Sequence, residues 1–515
     1  MIYPTDHSAS SVDPTLLTGV VASSLKEVAK DFASEFLSPS EAYAREPRLR
    51  LLRRFGVQQS DKVRPCDDAR RNGSNAATRL VETVALPSID FVAAVARAFH
   101  DAALSRGVEP PLLHLGVDDI GGAYRRVPVS HLHLNAVAFF VPALSRAVIQ
   151  FCYGLIFGFA ASVTQFCRYS KLLGLMIAHV VVLPTEPYVD DFPLIDLASS
   201  GTSGQESAAA VARHLGIPFE PAKRRPMAPS TLFLGVICSL FPTRVLFSPA
   251  SHRVHALLTY CSRVLADSSC SPALASRIAG KLGFLLSHTF GRVGRAGVRL
   301  LYAHASQQSD ALSVASRSGF RFLHALLSSP HLLHDRQVDF VPTLIRRQAS
   351  VFTDAADPAA RRGVACVLLA QADGSFPLCT FADHIDFHNR ISDINQLEAF
   401  TVLLSLHQFD FSCVDDVHIF CDNTTAIGVL TKGSCGDCDV LNMIAAAFWL
   451  YVQELNISVW ISYVPSHANI ADAPSRPRTY TPADSFAHLT ALGTRFTPFV
   501  HPPIPDPLVT ANHLP

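Results

Sequence analysis

Tyr188-Val189-Asp190-Asp191 places two adjacent carboxylates directly after an apolar run, Val180 to Leu183 closed by Pro184, that reads as a buried strand. About 70 residues earlier, Asp118-Asp119-Ile120-Gly121-Gly122-Ala123-Tyr124 offers a second pair of acids followed by an aromatic residue. Acids carried on two separate strands can hold two Mg²⁺ ions through oxygen ligands at about 2.0–2.1 Å, and such a pair of ions supports in-line phosphoryl transfer. The bland alternative is a polar turn without metal, which leaves an acid pair expensive to bury.

A second series of acids follows downstream. It comprises Val351-Phe352-Thr353-Asp354-Ala355, then Gln396-Leu397-Glu398-Ala399, then Phe420-Cys421-Asp422-Asn423-Thr424-Thr425-Ala426, and finally Asn469-Ile470-Ala471-Asp472-Ala473-Pro474-Ser475-Arg476. The elements that must position them read as strands at 350–353, 363–370 and 378–383, a helix carrying Glu398, and a strand entering Asp422. A helix from Thr424, a helix over 440–455 and a strand over 457–464 complete the pattern.

Taken in order, the upstream set resembles the palm motifs of reverse transcriptases: Asp119 to Tyr124, Phe157-Gly158-Phe159, Tyr188 to Asp191, Leu215-Gly216-Ile217 with Lys223, and Phe233-Leu234-Gly235. Lys62-Val63-Arg64-Pro65-Cys66-Asp67-Asp68 with Asn75 resembles the fingers segment in which a K-x-R pair meets the incoming triphosphate. The downstream set is similar to the ribonuclease H domain of retrotransposons, its wording closest to DIRS-type elements. The resemblance spans residues 45 to 480 and rests on motifs.

The resemblance implies a role for each matching position. The acid five positions before the aromatic selects Asp119 over Asp118, so Asp119 and Asp190 become the principal metal ligands and Asp191 the second carboxylate of the pair; Asp118 would point to the opposite face of its strand. Tyr124 aligns with the aromatic that packs under the sugar and rejects a 2′-hydroxyl, the alternative being a core tyrosine. Gly158 would admit close backbone approach to a nucleotide or template, although an ordinary turn glycine looks the same. Arg64 as a fork and Lys62 as a point charge would clamp the triphosphate; either could equally be a surface charge. Lys223 would protonate pyrophosphate, with Arg224 and Arg225 leaving the register open. Asp354, Glu398, Asp422 and Asp472 would hold two divalent ions against an RNA strand and activate a water, with His467 aiding product release. Two departures touch fine positioning: Ile156 stands where the family has proline, and Cys66 where it has a hydrophobic residue. Mg²⁺, with Mn²⁺ as substitute, is the implied cofactor. The implied partners are an RNA template, a DNA primer, an RNA–DNA hybrid and dNTPs.

The implied fold is a multidomain α+β chain. Residues 1–44 form an unassigned leader with a helical pattern over Leu16 to Phe36, 45–240 fingers and palm, 241–348 a helical thumb or connection, 349–478 a ribonuclease-H-like mixed sheet with flanking helices, and 479–515 a Pro-rich tail. Apolar repeats such as Leu257, Leu258, Cys261 and Leu265, and Ile278, Leu282, Leu285 and Leu286, mark helices in the third segment. Arg292, Arg295 and Arg299 would share a helix face, either a solvated stripe or a phosphate contact.

The 43 basic and 43 acidic residues cancel, but the balance is uneven. Residues 241–350 hold 13 Lys and Arg against 4 Asp and Glu, or +9, whereas 351–480 hold 6 against 15, or −9. The first can track phosphates; the second needs divalent cations to approach them. Twelve cysteines without a signal peptide fit reduced thiols in an intracellular setting, cytoplasmic or nuclear rather than secreted. The single C-x-x-C at Cys435 and Cys438 lacks a second pair at zinc spacing. Arg146 interrupts the apolar run 136–163, and the run 172–183 is short of the ~20 residues a bilayer needs, so both read as core. The rival to an active enzyme is a decayed or domesticated retroelement protein that binds nucleic acid without polymerising; seven retained carboxylates oppose it.

Overall fold

The computed structural model describes residues 13–59, 62–289, 293–329, 333, 335–341, 347–357, 363–370, 378–382, 393–436, 438–476, 489, 491 and 493–498. The chain divides into two compact units, Met1–Phe233 with Leu240–Pro242, and Leu234–Ser239 with Thr243–Pro515. It is a mixed α+β multidomain fold with several sheets.

The first unit opens with α1 (Pro14–Val28), where the Asp13 carboxylate accepts the Thr15 amide and Pro14 fills a first-turn position that needs no N–H. A capping box between Ser38 and Glu41 starts α2 (Pro39–Arg45). Strands β1 (Leu51–Gln59) and β2 (Lys62–Asp68) form a hairpin in register from Arg53↔Asp68 to Gln59↔Lys62, and α1 packs on both strands. After α3 (Asp90–Ser105) and β3 (Leu113–Asp119) come β4 (Ala136–Val141) and β5 (Arg146–Phe151), which complete a sheet of order β2-β1-β4-β5. The apolar run from Ala136 is therefore largely a hairpin, with Arg146 exposed beside its turn. No helix among the described residues is long and apolar enough to cross a membrane.

The strand expected over Val180–Leu183 is not there. Phe166, Leu173 and Ile177 continue a helical period through α4 (Ala160–Val180), after which Val182 stands 81% exposed at φ 58° and only Leu183 of the remaining run is buried. The strand at the acid pair follows it instead, as β6 (Asp191–Leu197). After α5 (Ser203–His214), β7 (Arg225–Ala228) joins β3 and β6 in a sheet of order β6-β3-β7, over a core that includes Ile120, Phe166, Phe192 and Ala208. Strands β8 (Ser230–Phe233) and β9 (Val236–Phe241) lie where the chain passes between the units.

In the second unit β10 (Arg244–Pro249) leads into α6 (Ser251–Asp267), α7 (Pro272–Thr289), α8 (Arg295–Ala305) and α9 (Val314–Ser328), and then pairs with β11 (Arg336–Asp339). The repeats read as helical faces do turn inward: Leu257, Cys261, Ile278, Leu282, Leu285 and Leu286 are buried together. Of the arginine stripe, Arg295 is exposed and Arg299 donates to the Gly436 carbonyl, while Arg292 lies outside the described residues.

The remaining elements are β12 (Gln348–Ala356), β13 (Gly363–Ala370), β14 (Leu378–Ala382), α10 (Ile394–Gln408), β15 (Asp416–Cys421), α11 (Thr424–Lys432), α12 (Asp439–Leu455), β16 (Ser458–Tyr463), α13 (Asp472–Ser475) and β17 (Arg495–Phe496). This is the expected strand and helix order. The sheet runs β16-β15-β12-β13-β14-β17, parallel where β15 meets β12 and β16. Helix α10 is buried on every side from Gln396 to Leu406, as an all-round apolar helix must be, and α12 packs beside it. Most of the Pro-rich tail lies outside the described residues.

Two candidate carboxylate sites

The first site is built on two paired strands. Asp119, the last residue of β3, stands opposite Asp191, the first of β6. The Tyr188 amide donates to the Asp191 carbonyl at 2.9 Å and the reverse bond is 3.0 Å, so Val189 and Asp190 form the tip of a two-residue turn. Val189 holds φ 57°. That is a strained conformation for a β-branched residue, of the kind that persists where surroundings over-determine it. Here the surroundings are named: Ser170 donates to the Val189 carbonyl, and the Ile120 amide to the Asp190 carbonyl at 3.2 Å. Asp119, Asp190 and Asp191 are thereby brought together.

Their electrostatics follow from that crowding. Burial, then repulsion from Asp119, raises Asp190 above the ordinary carboxylate range. Burial, then the charges of Asp190 and Asp119, pushes Asp191 up to about 6. Two consecutive cations each take a different acid: Lys223 Nζ lies 2.5 Å from Asp119, and Arg224 forks onto Asp118 at 2.9 and 3.4 Å, while the charges of Lys223 and then Arg225 oppose the rise at Asp191. This settles which of the three faces Asp119. Asp118 is fully buried on the other side of β3, paired with Arg224, and burial still holds its pKa up.

Lys62 and Arg64 are both exposed on one face of β2, and the Arg64 charge reaches Asp190. Tyr124 is 5% exposed, stacked on Phe166 at 4.5 Å and tilted against Phe157 at 4.3 Å; burial, followed by the neighbouring Cys167 and Asp190, raises it to about 12. Gly158 has a local reason to be glycine, since a Cβ there would come within 1.9 Å of the Asp67 carbonyl oxygen. Asn75 fixes that approach by donating to the Gly158 carbonyl and accepting from the Ala160 amide, both at 2.9 Å.

Behind β2 lies a buried charge network with no counterpart in the sequence reading. Arg54 forks onto Asp67 at 2.7 and 3.2 Å and donates to Ser24, Glu27 and Gln150; Arg125, next to Tyr124, bonds Glu27 at 2.9 Å and Asp67 at 3.1 Å. Burial opposes and the two guanidiniums outweigh it, holding Asp67 below its ordinary value. The available signal was an arginine at an inward position of an alternating strand.

The second site gathers all four predicted acids. Ligand oxygens of Asp354, Asp422 and Asp472 lie within 4.8 Å of one another, as do ligand atoms of Glu398, Cys421 and Asp422. A cavity of about 380 Å³ opens onto Glu398, Asp422, Asn423 and Arg476. Burial, opposed by the Ser475 hydroxyl and reinforced by the charges of Asp422 and Asp472, pushes Asp354 up to about 7. Burial, then the charges of Asp354 and Asp422, takes Glu398 to about 9. Burial also raises Asp472, against the pull of Arg476 at 2.7 Å. Such a set relieves its repulsion by binding divalent cations through oxygen, so the donors fit that role.

The residues around Asp472 hold the site together. Ser475 donates to Asp354 at 2.5 Å, and Asn469 donates to Asp354 and to the Thr353 carbonyl at 3.3 and 3.0 Å. Asn423 caps α11 by accepting the Ala426 amide at 2.9 Å, which sets Asp422 just outside the helix. His467 is exposed in the preceding loop. All twelve cysteines are free, and Asn442 ties Cys435 to Cys438 through their backbone.

No family model matches the chain, and no curated protein matches it. Similar solved structures include a foamy viral protease-reverse transcriptase in complex with double-stranded DNA, 12% identical with a TM-score of 0.46, covering 88% of this chain and 83% of that one. A second complex of a foamy viral protease-reverse transcriptase with double-stranded DNA is also 12% identical with a TM-score of 0.46, over 87% of this chain and 70% of that one. A likeness this distant leaves the chemistry to the side chains of this chain.

Proposed function

We propose that this chain is an RNA-directed DNA polymerase with ribonuclease H activity, from a retroelement of DIRS type. The observation that carries the reading is the pair of carboxylate sets on separate folds of one chain, each assembled from motif positions far apart in sequence. Asp119, Asp190 and Asp191 would hold divalent ions in the first, and Asp354, Glu398, Asp422 and Asp472 in the second. Bound there, Mg²⁺, with Mn²⁺ as substitute, would activate a primer 3′-hydroxyl or a water and neutralise the leaving oxygen.

The chain's own groups do the rest. Arg64 and Lys62, side by side on β2, would grip the triphosphate of a dNTP as fork and point charge. Tyr124, held by Phe157 and Phe166, would meet the sugar with its edge. Lys223, beside Asp119, would deliver a proton to pyrophosphate from Nζ. In the second site Ser475 and Asn469 keep Asp354 oriented, and Arg476 steadies Asp472. Template RNA, primer and hybrid are the nucleic acids this division of labour requires.

The test is primer extension on an RNA template with Mg²⁺, alongside cleavage of the hybrid's RNA strand. Asp190→Asn should abolish extension and spare cleavage; Asp422→Asn should do the reverse. Wild-type protein that binds hybrid but does neither is a decayed or repurposed copy, and the proposal falls.

A further inference from the structure

The proposed nucleotide contacts sit on two separate pieces of the first unit. Lys62 and Arg64 project from the exposed face of β2, and Tyr124 lies in the short helical turn Ala123–Arg126 that follows β3. The two strands belong to different sheets, β2-β1-β4-β5 and β6-β3-β7, so among the described residues no ladder bond between β2 and β3 sets the distance between these contacts.

Asp67 reaches both pieces. It lies three positions beyond Arg64 on the inward face of β2 and is 7% exposed. Its carboxylate accepts Arg125 Nη2 at 3.1 Å, and Arg125 is the residue after Tyr124. Its carbonyl oxygen lies against Gly158, next to the Phe157 ring that tilts on Tyr124. Arg125 is itself tied in two further directions, since Nε donates to Glu27 at 2.9 Å and Nη1 to the Leu155 carbonyl at 3.1 Å. Arg54, opposite Asp67 in the hairpin register, forks onto the same carboxylate at 2.7 and 3.2 Å. Apolar residues of the same volume often stabilise an interior as well as such a buried ionic set does. What the set adds is direction, because a guanidinium presents its bonds at fixed angles in one plane.

We propose that Arg125 and Asp67 are positioning residues for the incoming nucleotide, their bond setting the span between the triphosphate contacts Lys62 and Arg64 and the sugar contact Tyr124. The inference rests on the polymerase reading and deepens it. Each residue acts through its neighbours, Arg125 through Tyr124 and Asp67 through β2 and Gly158. Loosening the bond moves the sugar contact relative to the phosphate contacts, so nucleotide binding and the choice between a 2′-hydrogen and a 2′-hydroxyl suffer together. The carboxylates stay in place, because the pairing of β3 with β6 that sets Asp119 opposite Asp191 uses neither residue.

The test is steady-state primer extension by the full chain, with dNTP and rNTP titrated separately, for wild type, Arg125→Lys and Asp67→Asn. Lysine keeps the charge and loses the three-way fork. Each variant should raise KM for dNTP about tenfold or more and narrow the preference for dNTP over rNTP by a similar factor, with kcat within about threefold of wild type. The double variant should be no worse than the poorer single one, since both changes remove one bond. A residue that merely holds the fold behaves otherwise: part of the protein unfolds, so kcat falls and KM stays. Leu52→Ala, which opens a cavity in the core of the same unit, supplies that pattern for comparison. Variants with wild-type KM and discrimination, or with only kcat lowered, overturn the proposal, as do effects of the two changes that multiply. A wild-type chain that extends no primer takes down the polymerase reading and this inference with it, whereas extension by wild type with KM unmoved in the variants takes down this inference alone.

Discussion

Replacing Glu398 by glutamine should make the protein more stable at neutral and alkaline pH when no metal is present. Glu398 is 4% exposed, and burial plus the charges of Asp354 and Asp422 raise it from an ordinary 4.5 to about 9. Below pH 4.5 both folded and unfolded chains keep the proton and the residue has no effect. Between 4.5 and 9 the folded state keeps a proton that the unfolded state has lost, so stability falls as pH rises. At 1.36 kcal/mol per unit the loss is ~4 kcal/mol at pH 7.5 and saturates at ~6 kcal/mol near pH 9. Glutamine has the same shape and no titration, so the folded state no longer holds a proton there that the unfolded state releases. In EDTA the Glu398→Gln variant should therefore melt with wild type near pH 4.5 and on the order of 10 °C above it at pH 7.5, for a unit of this size. Differential scanning calorimetry over pH 4.5–9 reads the gap directly. Added Mg²⁺ should close it from the wild-type side, since the metal binds the ionised carboxylates. Equal melting curves across the range, or a less stable variant at pH 9, would refute the picture of a buried acid cluster held apart by protons.

Ser475→Ala frees the Asp354 oxygen that the hydroxyl holds at 2.5 Å; RNA cleavage should fall about 10–100-fold while primer extension is untouched, as paired assays of the two activities would show. Arg54→Met leaves Arg125 as the one guanidinium shared by buried Asp67 and half-buried Glu27, one charge short; the expected cost is about 3–5 kcal/mol, seen as a lower denaturation midpoint for the transition of that unit alone. Val189→Gly relieves the positive φ and should leave stability equal or higher by roughly 1 kcal/mol, yet slow primer extension because the Asp190 tip loses its constraint; extension at the wild-type rate would remove strain from the account of the site.

The four downstream acids were legible because each sits in a distinctive string and the alternation of strand and helix around them has a clean period. Their mutual approach needed coordinates, as did the use of Asn469 and Ser475, whose short side chains look like loop chemistry in a sequence. The misread segment was Val180–Leu183: four consecutive apolar residues fit a buried strand or the end of a buried helix, and period alone cannot separate the two when the run is that short. The family's spacing of acid and aromatic selected Asp119, and strand alternation then put Asp118 on the opposite face, but the sorting of Lys223 and Arg224 onto different acids depends on the path of the short helical turn at Pro221–Lys223. Gly158 shows the opposite limit. Its constraint is a carbonyl oxygen 91 positions earlier, at Asp67, and no local pattern encodes that.

The network around Arg54 also sets a timetable for the nascent chain. Helix α1 is made first, but its Ser24 carbonyl waits for the Gln150 amide, 126 positions on, and Glu27 for Arg125, 98 positions on. At about 5–20 residues per second, roughly 6 to 25 s separate the synthesis of the helix from that of its last partner. Through that interval α1 has β1, β2 and Arg54 to pack on, while its partners Arg125 and Gln150 are still missing. Closure of the first unit is therefore a late event that joins its beginning to its middle, and a helper that shields α1 in the meantime would act on yield rather than on the stability of the finished protein.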